Sequence, residues 1–245
     1  STQLGQLSSE QIAALETADL RALTAVQLQG LSTDAVQGLS TDQIGAMSNV
    51  QLAGLSTDGV AALTTDQAAA LTTTQVKSLS TTQVAAIETD DIQALTTDQI
   101  KAVTTAQIRA LTTDQVVALT TEQVSTLSSD NIKALTSDQT KALTAAQLNA
   151  MSSDQIGALD TGDVAVLSAS QLKGLSTDNV VALTGDQLNA LSAKQVAALS
   201  TDQVKAIETA DLAALGSAQL AALTATQMKA LSTEQLGALG TDQIP

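Results

Sequence analysis

The octad Leu111-Thr-Thr-Asp-Gln-Val-Val-Ala118 decides the fold, because the whole chain repeats it with only local substitutions. Leucine or a close substitute stands at every eighth position from Leu7 to Leu239, thirty positions in a row, without one insertion or deletion. Self-similarity at a fixed short period defines an architecture before any single residue is read for chemistry.

Each octad reads as the start of a helix. Thr112 followed three residues later by Gln115 is a capping box, in which each side chain satisfies a free backbone N–H of the other. Gln fills 23 of the 31 positions third after the cap. Acids such as Asp34, Asp42 and Asp202 fall at the second helical position, where the helix dipole favours negative charge. Val116 and Leu119, three apart, share one helical face. The octad is therefore a helix of about six residues, about 9 Å long. One uninterrupted helix is excluded, since its apolar stripe would drift about 80° per octad. A triangular β-solenoid is the alternative. Against it, the apolar positions are spaced three and five apart, and Ala, Gln and Leu favour helix. Helices this short are not stable alone, so stability must come from stacking coil on coil.

A weaker period of twenty-four lies over the eight. Gln6, Gly30, Gly54, Ser78, Thr126 and Gly174 replace the final Ala of the octad in one column at that spacing. Four octads replace the cap by an acid, at Glu16, Glu88, Asp160 and Glu208, and their separations are 72, 72 and 48. Residues 24 apart thus share an environment. The expectation is an all-α solenoid of short capped helices, with three octads per coil and about ten coils. It runs through residues 1–245 as a single continuous domain. At the usual 8–10 Å between packed helices it would be roughly 80–100 Å long. Its interior is a column of Leu and Val/Ile/Leu, interrupted at Ala68 and Thr140.

Composition sharpens this. A hydrophobic content of 44% argues against disorder. With no Phe, Tyr or Trp, the interior must be thin and uniform. Ten basic against twenty-five acidic residues give a net charge of −15, which argues against nucleic acid and anionic membrane as partners. No apolar run approaches the ~18 residues of a membrane span. With no cysteine there is no disulfide framework. Ser1 begins in phase with the repeat and without Met, so a processed chain or a segment of a longer array is expected. No enzyme is expected, because His, Cys and Tyr are absent and with them the usual bases and nucleophiles. Neither a phosphate loop nor zinc-ligand spacing occurs, so no cofactor is expected either.

The acid-capped octads are the candidate sites. Where the cap becomes acidic, the Gln three later becomes Asp: Glu16/Asp19, Glu88/Asp91, Asp160/Asp163 and Glu208/Asp211. A hard cation such as calcium wants several carboxylate oxygens, but two per octad are too few and the octads lie coils apart. The competing expectation is a variant first turn, with both acids held by the helix dipole and backbone N–H groups. Glu never occupies the Gln position, which points to a partly buried site and a Gln-to-Gln hydrogen-bond ladder. The Ser/Thr pairs make hydroxyl ladders of the kind an ice-binding or glycan-bearing face would need, although recurrent capping explains them too. Nine of the ten basic residues occupy the octad's variable position, giving pairs such as Asp98–Lys101, Asp130–Lys133 and Asp202–Lys205 on a solvated face.

The Leu-Thr-Thr-Asp-Gln-Val-x-Ala octads resemble repeat tracts of very large secreted or surface proteins of Gram-negative bacteria, adhesin-like and filament-forming ones among them. The resemblance implies an extracellular or cell-surface structural rod or filament subunit. The alternative is an adhesive, ligand-presenting solenoid. A likeness to the first helix of plant-pathogen effector repeats (Leu-Thr-x-x-Gln-Val-Val-Ala) stops at that helix. The rest of that unit and its basic charge are missing, so DNA reading is not implied. Where capping repeats would stand, the apolar Leu4 and Leu7 lie near one end and Leu239 and Ile244 near the other. The chain is therefore expected to associate with itself, end to end.

Overall fold

The computed structural model describes residues 4–240. Among them a 3-10 turn at Leu4–Gln6 is followed by 29 α-helices, from α1 (Ser9–Ala13) to α29 (Thr233–Ala238), one per octad. No strand occurs among the described residues, so the all-α solenoid holds and the β-solenoid alternative falls. Ile244, one of the terminal apolar positions, lies outside the described residues.

The corner between helices explains the octad. Ser40 is extended at φ −72°, ψ 160°, and its Oγ accepts from the Gln43 N–H at 3.1 Å. The Gln43 Oε1 accepts in return from the Ser40 N–H at 2.7 Å. The helix α5 (Thr41–Ala46) then stops at Met47, extended at φ −63°, ψ 142°, whose N–H donates to the Ile44 carbonyl at 3.2 Å. Two successive extended residues thus turn the chain, and no described residue has positive φ. A left-handed C-terminal residue, which favours glycine, is not needed. That is why the corner can afford a large apolar residue, which points inward.

The chain divides into two compact units, Ser1–Leu127 and Ser128–Pro245, and each repeats the same construction. In the first, α5 packs on α8 (Thr65–Ala70), α8 on α11 (Thr89–Ala94), and α11 on α14 (Thr113–Ala118). Within either unit every helix packs on the third one after it, so three octads make one coil, as the 24-residue period predicts. Both apolar positions of the octad are buried, for example Val36 and Leu39, or Val204 and Ile207. Ala68 and Thr140 are buried in the same column. In the first unit the aliphatic interior leaves a void of only about 20 Å³ among residues such as Leu79, Val84, Ile92 and Leu111. With no polar group to hold a water, such a space stays dry.

Some substitutions follow from how closely coils approach. A β-carbon on Gly54 would lie 2.8 Å from the backbone Cα and carbonyl oxygen of Ala25, on the coil beneath. Gly174 meets Ala145 in the same way, with Cβ to Cβ at 2.7 Å. Gly54 and Gly174 of the sequence column thus sit where two coils approach closely, and Gly38, outside that column, meets the Ser9 backbone in the same manner.

Stacking also partitions charge. On the side that starts with α2 (Thr17–Ala22) and continues with every third helix, the first unit carries eight acidic residues from Glu16 to Asp114 against Arg21 alone. On the side that starts with α3 (Ala25–Leu28), Asp98 and Glu122 are balanced by Lys77 and Lys101. The second unit repeats this. Its acidic side, through α20 (Thr161–Ala165) and α26 (Thr209–Ala213), carries seven acids against Lys141.

Candidate functional site

The polar chemistry of the molecule is concentrated at the corners, where Gln does two jobs at once. While its Oε1 closes the capping box, its Nε2 reaches the coil beneath. The Gln43 Nε2 donates to the carbonyls of Ile12 at 3.0 Å and Leu15 at 2.8 Å. The Gln75 Nε2 donates to Ile44 at 2.8 Å and Met47 at 2.9 Å. In the second unit the Gln203 Nε2 donates to Leu172 at 2.8 Å and Leu175 at 2.7 Å. In these three the acceptors are 31 and 28 residues earlier, at the end of the helix preceding the same corner one coil down. They lie in the last turn and corner, where carbonyls lack the regular i to i+4 helical bond, although the earlier one also accepts the corner residue's own N–H, as Ile44 does from Met47.

The sequence predicted burial for this Gln, and the structure confirms it: Gln43, Gln75, Gln123 and Gln203 are all buried. The expected Gln-to-Gln ladder is corrected. Each amide bonds backbone above and below, because its nitrogen meets two helix-end carbonyls before it could reach the next side chain. Glu is unsuited to this slot, having no N–H to donate and a charge to bury.

Four corners carry acids instead, and their environments differ. The caps Glu16, Glu88, Asp160 and Glu208 are exposed and accept no hydrogen bond from the first turn through their side chains. The expected variant turn, with both acids taking backbone N–H groups, is therefore corrected at the cap. Two carboxylates three residues apart repel, and the cap acid stays in solvent. Of the partner acids, Asp19 is exposed, Asp211 is half-buried, and Asp91 and Asp163 are buried.

Asp163 gains a partner, since the Ser137 hydroxyl of the coil beneath donates to its Oδ1 at 2.7 Å. Burial still holds its pKa above the ordinary carboxylate value, against the lowering effect of that hydrogen bond, and Asp160 adds to the rise. Asp91 has no such partner. Burial first, then the charges of Glu88 and Asp90, raise it from 3.8 to about 6, and its Oδ2 is buried without a hydrogen bond. The four acid pairs are not brought together. Among the described residues no three His, Cys, Asp or Glu side chains are grouped as a metal would require.

The outer face holds contacts the octad pattern did not reveal. The Arg21 Nε donates to the Ala46 carbonyl of the coil above at 2.9 Å. Asn149 bridges similarly, its Nδ2 donating to the Gly174 carbonyl and its Oδ1 accepting from the Ser176 N–H at 2.7 Å. The variable position thus lies below a helix end. Of the expected ion pairs, Asp98–Lys101 forms at 3.6 Å, both partners exposed, and Asp138–Lys141 forms at 3.3 Å. Asp130–Lys133 and Asp202–Lys205 are not drawn together.

Comparison with known families matches the repeat along most of the chain. The model of the ALTTAQ repeat matches residues 12–49, 45–73, 69–97, 84–121, 95–129, 129–161, 156–193 and 204–241. The chain belongs to the ALTTAQ repeat family. In this chain the ALTTAQ motif corresponds to Ala110-Leu-Thr-Thr-Asp-Gln115, which spans a helix end, the two extended corner residues and the next capping box. A comparison with curated proteins finds no match. No described helix of this ALTTAQ array is long and apolar enough to cross a membrane.

Proposed function

We propose that this ALTTAQ array is a structural element, an extracellular rod or filament subunit that associates end to end with copies of itself. The complementarity of a coil's two faces carries this reading. One face of each coil offers Gln amides, as Gln43 and Gln75 do to the coil beneath. The other offers helix-end carbonyls, such as those of Ile44 and Met47. A coil fits on the one below whether or not the same chain supplies it. Heterologous contacts of this kind propagate instead of closing. A structural role, not catalysis, suits repeated corners that offer no singular pocket. The extracellular placement draws on the resemblance to secreted repeat tracts.

Sedimentation velocity and electron microscopy over a concentration series test the proposal. Wild type is expected to form end-to-end particles that Gln11→Glu and Gln27→Glu shorten. Dispersed monomers at high concentration would overturn it. The one-sided acidic charge favours a second reading, a solenoid presenting that side to a cationic ligand. Salt-sensitive binding of polylysine, lost when acids of the α2 side become Asn or Gln, would support it.

A further inference from the structure

We propose that Asp91 is a proton-dependent stitch: when protonated, its carboxyl donates a hydrogen bond to the Val60 carbonyl of the coil beneath, and ionisation breaks that bond and loosens the seam between α8 and α11. This holds whether or not copies of the chain associate.

The position defines the chemistry. Asp91 stands where Gln stands at most corners, and the acceptors 31 and 28 residues before it are the Val60 and Leu63 carbonyls. Gln43, Gln75 and Gln203 fill that slot with an N–H donor, so a carboxylate there sets negative charge against carbonyl oxygen. A protonated carboxyl restores a donor. Reach is not an obstacle, because Asn179, with a side chain of the same length at the same position, donates its Nδ2 to the Leu148 carbonyl at 2.8 Å. Asp91 is 3% exposed and its Oδ2 has no partner. Its counterpart Asp163 keeps a donor in Ser137, whereas no hydrogen bond joins Asp91 to Thr65, the equivalent residue below.

The surroundings supply no cation. On its own helix Asp91 has Glu88 and Asp90 for neighbours. The helices packed above and below bring Asp114 and Asp66, and α7 (Thr57–Ala61), which leads into the corner beneath, brings Asp58. No Lys or Arg lies on α7, α8, α10 (Thr81–Ala86), α11 or α14. Burial and these charges act in one direction, raising the carboxyl to about 6. The folded unit therefore binds this proton more tightly than the unfolded chain does. Its stabilising effect is complete below the ordinary value of 3.8 and is lost as pH rises through about 6.

Asp91→Asn keeps a donor at every pH and copies a residue already used at Asn179. Urea unfolding of wild type and variant between about pH 4 and pH 8, with carbon-13 NMR titration of the Asp91 carboxyl, tests the proposal. Expected is a carboxyl titrating near 6. The variant should gain a folded-to-unfolded ratio roughly a hundredfold over wild type above neutrality, with the gap closing in acid. A carboxyl titrating with the exposed aspartates, or identical pH dependence in the two proteins, would overturn it. So would calcium stabilising wild type but not Asp91→Asn at neutral pH, since the slot would then hold a metal and not a proton.

Discussion

The Gln123 amide nitrogen donates at once to the carbonyls of Ile92, at 2.8 Å, and Leu95, at 2.7 Å, joining the end of one helix to the start of another 28 residues later. Its oxygen meanwhile accepts from the Thr120 N–H at 2.8 Å. One buried side chain thus satisfies a helix start and a helix end on successive coils, groups that would otherwise each cost free energy if left unpaired.

Gln123→Glu keeps the capping oxygen but removes the donor and adds a buried charge. The first unit is expected to lose about 2–4 kcal/mol at neutral pH, with the loss shrinking in acid as the new carboxyl protonates. Urea unfolding measures this, and an unchanged midpoint at neutral pH would contradict the role assigned to the amide.

Glycine in this array has two meanings. Gly54→Ala places a β-carbon against Ala25 backbone and should destabilise by about 1–3 kcal/mol. Gly237 lies in α29 with nothing within 4 Å of a β-carbon, so Gly237→Ala should stabilise by about 0.5–1 kcal/mol. Thermal melts of the two variants should move in opposite directions.

Thr140 is fully buried and its Oγ1 has no hydrogen-bond partner. Thr140→Val replaces that hydroxyl with a methyl of similar size, so the second unit should gain about 1–2 kcal/mol. Equal or lower stability by urea titration would show that the hydroxyl is satisfied in solution.

Ser137→Ala removes the hydrogen bond that holds the Asp163 carboxyl down. Its pKa, already raised by burial, should rise further. With the folded-state value above the unfolded one, stability is fully present in acid and falls as pH rises through the folded value. The fall should therefore extend to higher pH in the variant. Carboxyl NMR titration reads the shift, and an unmoved Asp163 would refute the coupling.

Much of this was legible in the chain because it is local. Thr112 and Gln115 lie three residues apart, as a capping box demands, and Val116 and Leu119 share a helical face for the same geometric reason. The count of three octads per coil was also written in the sequence, since Gly54 and Gly174 each stand close to an Ala of the coil beneath and fall in one column of the 24-residue period. The candidate acids could be named, but their environments could not. Asp91 and Asp163 follow acid caps in the same way and are both buried, yet Asp163 accepts from Ser137 while the Asp91 Oδ2 has no partner.

The sequence by itself determined the short helices, their caps, the apolar column and the period of the stack. Those depend on contacts within four residues or on strict repetition, which side-chain chemistry and helical geometry settle without a partner. Only the tertiary structure decided where the Gln nitrogen goes, that Arg21 reaches Ala46 on the coil above, and that Asp91 is buried with no hydrogen bond at its Oδ2. Each depends on how far one coil is offset from the next. That offset arises when all the coils pack together, and it fixes which helix end lies beneath each corner.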